Sequence, residues 1–290
     1  MPEPAAHAGS GSGANGMRRG LGEALAAAAV ALALLGGVAQ AQDCGKGPEG
    51  FSAWLSAFRQ VAVRDGISDA TFEAALGGVG YDASVGAHDR GVVYLGHNFE
   101  SFAASHVTPG VVSRGRAMLA RYAGTLATIE QRFGVPGPVL VAIWGLETSF
   151  GGDNGSYPTF AALATLAYDC RRADRFRAEL IDALTLVEKG VWPSPRSLRG
   201  AWAGEIGQTQ LMPSAIMMFA TTPDGAGTPD VIHNSGDALA STAAFMAAHG
   251  WQRGAGWNEG EPNFPAILHW NASPVYAKTI ALFADKLASR

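Results

Sequence analysis

Apolar residues recur at helical spacing along most of this chain. Phe51, Trp54, Leu55, Phe58, Val61 and Ala62 mark a first helix that stops at Gly66, and Ser68 caps a short second one carrying Phe72, Ala75 and Leu76. After Thr108-Pro109, with Pro in the first helical turn, Val112, Leu119, Tyr122, Leu126, Ile129 and Phe133 predict one long amphipathic helix ending at Gly134. Pro138 opens Val139 to Thr148, Thr159 opens Phe160 to Asp169, and Asp174 opens Arg175 to Lys189, with Gly190 as the stop. Further helices are expected from Pro213, from Asp237 to His249 and from Ser273-Pro274. Two-residue alternation is scarce, so any small sheet is expected within residues 191 to 235 or 251 to 270. The expected fold class is therefore mainly α (α+β). No G-x-G-x-x-G, Walker or H-E-x-x-H signature interrupts the pattern.

Leu25 to Val38 reads differently: it is almost pure Ala, Leu, Val and Gly, follows Arg18-Arg19 and precedes Ala39-Gln40-Ala41. Basic residues, a short apolar run and an A-x-A site make an export signal. The run is shorter than the about 20 residues of a membrane span, which argues against stable membrane insertion. The expected organisation is an N-terminal extension and signal peptide over 1–41, cleaved near Ala41, and one domain over 42–290, with residues 1 to 16 lying upstream of a start at Met17. Such a chain would be periplasmic.

Cleavage would leave 249 of the 290 residues, with 19 basic against 23 acidic groups and the same net charge of -4 as the whole chain. With a pI near 6.0 and no basic stripe, nucleic acid is excluded as a partner. Charged residues make up 16% of the chain against 48% hydrophobic, enough apolar material for a large core. Cys44 and Cys170 both fall in the exported part, where oxidising conditions predict a disulfide between them. Cys44 follows no L-x-G/A-C pattern, so a lipid anchor is not expected.

The candidate chemistry is a single acid at the end of an apolar run, Val139-Leu140-Val141-Ala142-Ile143-Trp144-Gly145-Leu146-Glu147. Helical spacing puts Leu140, Trp144 and Glu147 on one stripe and Val139, Ile143, Leu146 and Phe150 on another, leaving no clean polar face. A carboxyl beside the Trp144 indole in a dry pocket holds its proton toward neutrality and can donate it to a leaving oxygen. Ordinary glycosidases need a second carboxylate. Glu205, Asp153 and Asp169 are candidates, and no pattern singles one out.

Several motifs in order resemble the lytic murein transglycosylase B family of the lysozyme-like superfamily. Trp144-Gly145-Leu146-Glu147-Thr148-Ser149-Phe150-Gly151 resembles the family's catalytic segment, followed by Leu163 to Arg172 and by Ala201-Trp202-Ala203-Gly204-Glu205-Ile206-Gly207-Gln208-Thr209-Gln210-Leu211-Met212-Pro213-Ser214. Asp237 to Ser241, His249-Gly250-Trp251, and Trp270-Asn271 with Tyr276 complete the series. The resemblance implies a lysozyme-like multi-helix domain with a small β-containing or irregular subdomain, acting on peptidoglycan glycan strands.

It further implies that Glu147 protonates the oxygen between MurNAc and GlcNAc and then, as base, activates the MurNAc 6-hydroxyl to form a 1,6-anhydro product, which removes the need for a second carboxylate. A hydrolytic muramidase and a catalytically weak peptidoglycan-binding protein are the alternatives. Gln210, Asn271 and Tyr276 match residues of the family's cleft, and Arg171 and Arg172 match a basic pair that could meet peptide-stem carboxylates. Ala201 stands where the family often has Ser. Some members carry a calcium loop where this chain has residues 222–230, but Ala226 occupies a position that needs an oxygen ligand, so no metal and no cofactor are expected. Cell-wall synthesis or division proteins are candidate partners.

Overall fold

The computed structural model describes residues 44–91 and 98–289. The export signal, its cleavage site and Met17 lie outside the described residues. Ser68, Thr108 and Ser273 cap helices where the sequence places them, whereas Thr159 and Asp174 cap none and the helix expected from Asp237 starts at Ser235 behind Asn234. The first helix is α1 (Phe51–Arg64); Ser68 Oγ then accepts from the Thr71 N–H to start α2 (Asp69–Leu76). After α3 (Ala83–Gly91) and α4 (Phe99–His106), Thr108 caps α5 (Pro109–Arg121), and α6 (Ala123–Phe133) stops at Gly134. Next come α7 (Gly137–Thr148), α8 (Thr159–Tyr168), α9 (Ala173–Glu188) and α10 (Pro213–Phe219). Asn234 caps α11 (Ser235–Ala248), α12 spans Phe264–Trp270, and Ser273 caps α13 (Pro274–Ala288). The class is mainly α, as expected.

Two expectations need correction. The long helix after Pro109 is two helices, because Tyr122 leaves helical geometry (φ -104°, ψ 17°). Its ring meets Trp144 edge-on at 5.5 Å and its hydroxyl donates to Ser235 Oγ at 3.2 Å, so the break brings the side chain onto α7 and α11. The small sheet pairs β1 (Tyr157–Pro158) antiparallel with β2 (Arg199–Gly200), so one strand lies outside the expected ranges. A two-residue strand is too short to show alternation. Helices α3, α4 and α12 were not evident: α3 contains two glycines, and α4 and α12 have eight and seven residues.

Two apolar clusters form the interior. One joins α1 and α2 to α8 and α9 through residues such as Trp54, Phe72, Leu163 and Leu180. The other surrounds α7 with residues from α6, α11, α12 and α13, among them Ile129, Met246, Ile267 and Phe283. Burying a side chain of this size stabilises the fold by about 1.5–3 kcal/mol, so α7 and α8, apolar on nearly every side, are the anchors of their clusters. Phe245 and Trp270 pack against both clusters and mark the seam. At the first cluster's edge Cys44 and Cys170 form a disulfide with an S–S distance of 2.14 Å. Gly45 N–H donates to the Tyr168 carbonyl, and the Gly45 carbonyl accepts from the Cys170 N–H, tying the segment before α1 to the end of α8.

Candidate active site

The site starts where α7 runs out. Val139 to Trp144 are buried, so the helix position is set by the core, and Glu147 lies in its last turn. Beyond it the chain reverses through three consecutive left-handed residues, Ser149 (φ 52°), Phe150 (φ 66°) and Gly151 (φ 77°). Left-handed backbone costs a non-glycine residue on the order of 1 kcal/mol and persists where surrounding contacts impose it. Thr148 supplies part of that constraint: its hydroxyl donates to the Gln208 carbonyl at 2.6 Å and accepts from the Gly151 N–H at 2.9 Å. Glycine is required at 145, where a Cβ would stand 2.8 Å from the rings of Phe150 and Phe283, and at 151, where it would meet Gln208 Oε1 at 2.6 Å. Among the described residues the only other non-glycine residue with this backbone is Gln210, on the facing loop.

Glu147 opens into a cleft of about 540 Å³ along the seam. The cleft is also lined by Gln210 and Asn271, as the sequence reading expected, and by Glu205, Arg175 and Ala201. Trp202, Phe219, Phe245, His249 and Trp270 give it an aromatic wall. Gln210 Nε2 donates to the carbonyls of Gly207 at 2.8 Å and Asn154 at 3.2 Å, which orients its amide oxygen. Asn271 Oδ1 accepts from the Ser273 N–H at the entry to α13.

Two neutral donors converge on the Glu147 carboxyl. Trp270 Nε1 donates to Oε1 at 2.9 Å, and the Tyr276 hydroxyl also hydrogen-bonds the group. Burial nonetheless pushes the Glu147 pKa up to about 7; the two hydrogen bonds oppose the shift and the Glu205 charge adds to it. Burial, reinforced by Glu147, raises the Tyr276 pKa well above 10, so its hydroxyl keeps its proton as a donor. Near neutrality the carboxyl can therefore carry a proton, and once it gives that proton up the same two donors stabilise the anion.

The remaining expected residues divide. Trp144 does not line the cleft: it is 2% exposed, inside the second cluster between Tyr122 and Phe150. The indole beside Glu147 is Trp270. Arg171 and Arg172 also lie outside the cleft lining. Arg171 grips Asp89 with two hydrogen bonds of 2.7 Å, and Arg172 bonds the same carboxylate, so both guanidinium groups are held by one buried aspartate. Arg172 also lies over the Trp202 ring, supporting the cleft wall, while the cation that lines the cleft is Arg175. Of the three candidate second carboxylates only Glu205 reaches the cleft; Asp169 pairs with Arg90, and Asp153 caps its own turn at Gly155. Loop 222–226 is closed by its own bonds, with Asp224 Oδ1 accepting from Thr222 and from the Ala226 N–H.

The chain is 34% identical over 149 residues to the membrane-bound lytic murein transglycosylase B of Escherichia coli, an alignment covering 51% of this chain and 41% of that protein. The chain thus spans under half the length of this curated relative. The fold resembles that of SltB3 from Pseudomonas aeruginosa in complex with NAG-anhNAM-pentapeptide, with a TM-score of 0.77 and 30% identity, covering 82% of this chain and 80% of that one. Soluble lytic transglycosylase SltB1 from the same organism gives a TM-score of 0.74 at 26% identity, covering 81% and 98% of the two chains. The family model of the transglycosylase SLT domain matches residues 50–261, and the chain belongs to that family.

Proposed function

We propose that this protein is an exported, periplasmic lytic transglycosylase that cleaves the β-1,4 bond between MurNAc and GlcNAc in peptidoglycan, with residues 42–290 as the catalytic domain. The observation that carries the reading is the setting of Glu147: a partly desolvated carboxyl with a pKa of about 7, held by an indole and a phenol in a cleft lined by amide side chains and aromatic rings. Protonated Glu147 gives its proton to the glycosidic oxygen as the bond from MurNAc C1 breaks. The carboxylate then accepts the proton of the MurNAc 6-hydroxyl as that oxygen bonds to C1, which closes the 1,6-anhydro ring and restores the acid without water. Gln210 and Asn271 hold hydroxyl and acetamido groups, and the aromatic wall stacks on sugar faces.

Glu205 favours a second reading, hydrolysis, because it places another carboxyl in the same cleft, and paired carboxylates are the usual hydrolytic arrangement. Mass spectrometry of digested sacculi separates the two. The expected products are muropeptides lighter by one water than those of lysozyme, all dependent on Glu147; reducing-end MurNAc alone would sink the transglycosylase reading.

A further inference from the structure

Glu205 does more than distinguish two readings of the chemistry. It sits in the turn between β2 and α10, where its carbonyl accepts from the Ala201 N–H at 2.9 Å and ties the loop into a fixed shape. Its side chain lines the cleft, and Oε2 is buried without a hydrogen-bond partner among the described residues. Buried polar atoms are almost always paired, so an unpaired carboxyl oxygen on a residue that lines a cleft marks a place where a ligand can supply the missing bond.

The charged groups around it do not fill that role. Arg175 and Arg172 act on it through their charge, and Glu179 acts in the opposite sense. Glu179 itself is committed to α10, accepting from the Ser214 N–H and Oγ at 2.9 and 2.8 Å. His249 and His269 lie elsewhere on the cleft lining, and His249 Nδ1 is taken by the Phe245 carbonyl at 2.7 Å. Burial raises the Glu205 pKa, which suits the carboxyl to neutral partners over cations.

We infer that Glu205 is a substrate-positioning residue, whose unpaired Oε2 accepts a hydrogen bond from a hydroxyl or acetamido N–H of a bound N-acetylated glycan. This rests on the proposed action on peptidoglycan, and it accounts for a second cleft carboxyl without giving it a part in bond cleavage.

The test compares Glu205→Ala and the nearly isosteric Glu205→Gln in the full chain. On sacculi, Glu205→Ala should raise KM about five- to tenfold, the loss of one hydrogen bond, with kcat within about twofold of the parent. Glu205→Gln, which keeps an acceptor oxygen, should restore KM to within about twofold. On a Glu147→Gln background, Glu205→Ala should weaken binding of a β-1,4-linked N-acetylglucosamine oligomer by a similar factor. Unchanged KM and affinity with a raised Tm would make Glu205 only an unpaired buried acid and overturn the inference. A fall in kcat beyond about a hundredfold in both variants at unchanged KM would also overturn it, by making Glu205 a reacting group. A parent that binds the oligomer but leaves sacculi intact removes the proposed function while the binding comparison still decides the role of Glu205.

Discussion

Glu147 and Asp89 each lie near the end of a helix and are screened from water, yet their proton affinities move in opposite directions. Burial pushes both upward, but the hydrogen bonds and charges of Arg171 and Arg172 reverse the shift at Asp89 and hold it below the usual carboxylate range. Glu147 has an indole N–H and a phenol instead, which stabilise an anion without cancelling its charge, and its pKa stays near 7. The nature of the donors, together with the size of the desolvation penalty, separates the two. Guanidinium partners make a permanent ion and a structural clamp, whereas neutral donors leave a group that exchanges its proton near neutrality.

Exchanging the acid for its amide should break this contrast most sharply at Glu147. Glu147→Gln is expected to lower kcat on sacculi by at least about a thousandfold, read as anhydromuropeptide release. The same change should stabilise the fold in a pH-dependent manner. The unfolded carboxyl ionises above about 4.5 and the folded one only above about 7, so the native state loses stability across that interval and the whole penalty is present above it. Thermal melts should show no gain for the variant at pH 4 and a gain of up to about 3 kcal/mol at pH 8. Equal melting temperatures at both values would mean that the carboxyl is not desolvated.

At Asp89 the opposite pattern is expected. Asp89→Asn leaves two guanidinium groups without their carboxylate and should cost about 2–3 kcal/mol, below the range for fully buried pairs because both arginines are partly exposed. The Asp89 pKa is depressed, so its contribution is present above the unfolded value near 4 and is lost as pH falls through the folded one. The melting difference between parent and variant should therefore be full at pH 7 and shrink in acid, with kcat on folded protein unchanged.

The sequence made one side of this comparison legible and hid the other. Glu147 stood out because it is the only acid in a run of core residues, and apolar spacing located most of the helices. Its partners were obscured by distance: Trp270 donates from 123 positions away, so helical periodicity pointed to Trp144 three residues upstream. Trp144 shares the helix but turns into the core between Tyr122 and Phe150, while the left-handed reversal after Thr148 leaves Glu147 at the edge. Arg171 and Arg172 likewise read as free cations because Asp89, their counter-ion, lies 82 and 83 residues earlier in a helix without an apolar stripe.

A smaller effect is expected from weakening the neutral cage. Trp270→Phe keeps an aromatic ring at the seam and removes the indole donor. Because that bond favours the charged form, its loss should raise the Glu147 pKa and move the alkaline limb of the kcat/KM profile upward by about half a unit. With the anion less well held in the second step, kcat should fall about tenfold. A limb moving downward would show that the indole acts on the carboxyl through desolvation instead of its hydrogen bond.

The mildest test concerns the cations, and it asks whether the Asp89 clamp and the cleft are functionally separate. Arg175 is exposed, lines the cleft and forms no ion pair among the described residues, whereas Arg171 is bound to Asp89 at two atoms. An unpaired guanidinium is free to meet a carboxylate of a peptide stem with either edge, whereas the Nε–Nη2 edge of Arg171 is already held by Asp89. Arg175→Ala should therefore raise KM about three- to fivefold on strands with peptide stems and leave it unchanged on strands from which an amidase has removed them, the size of one partly exposed ion pair. Arg171→Ala should lower the melting temperature and leave both KM values in place. If Arg171→Ala selectively raised KM on stem-bearing strands, the clamp would be part of the substrate surface, and Asp89 would have to be regarded as holding a binding residue instead of a structural one.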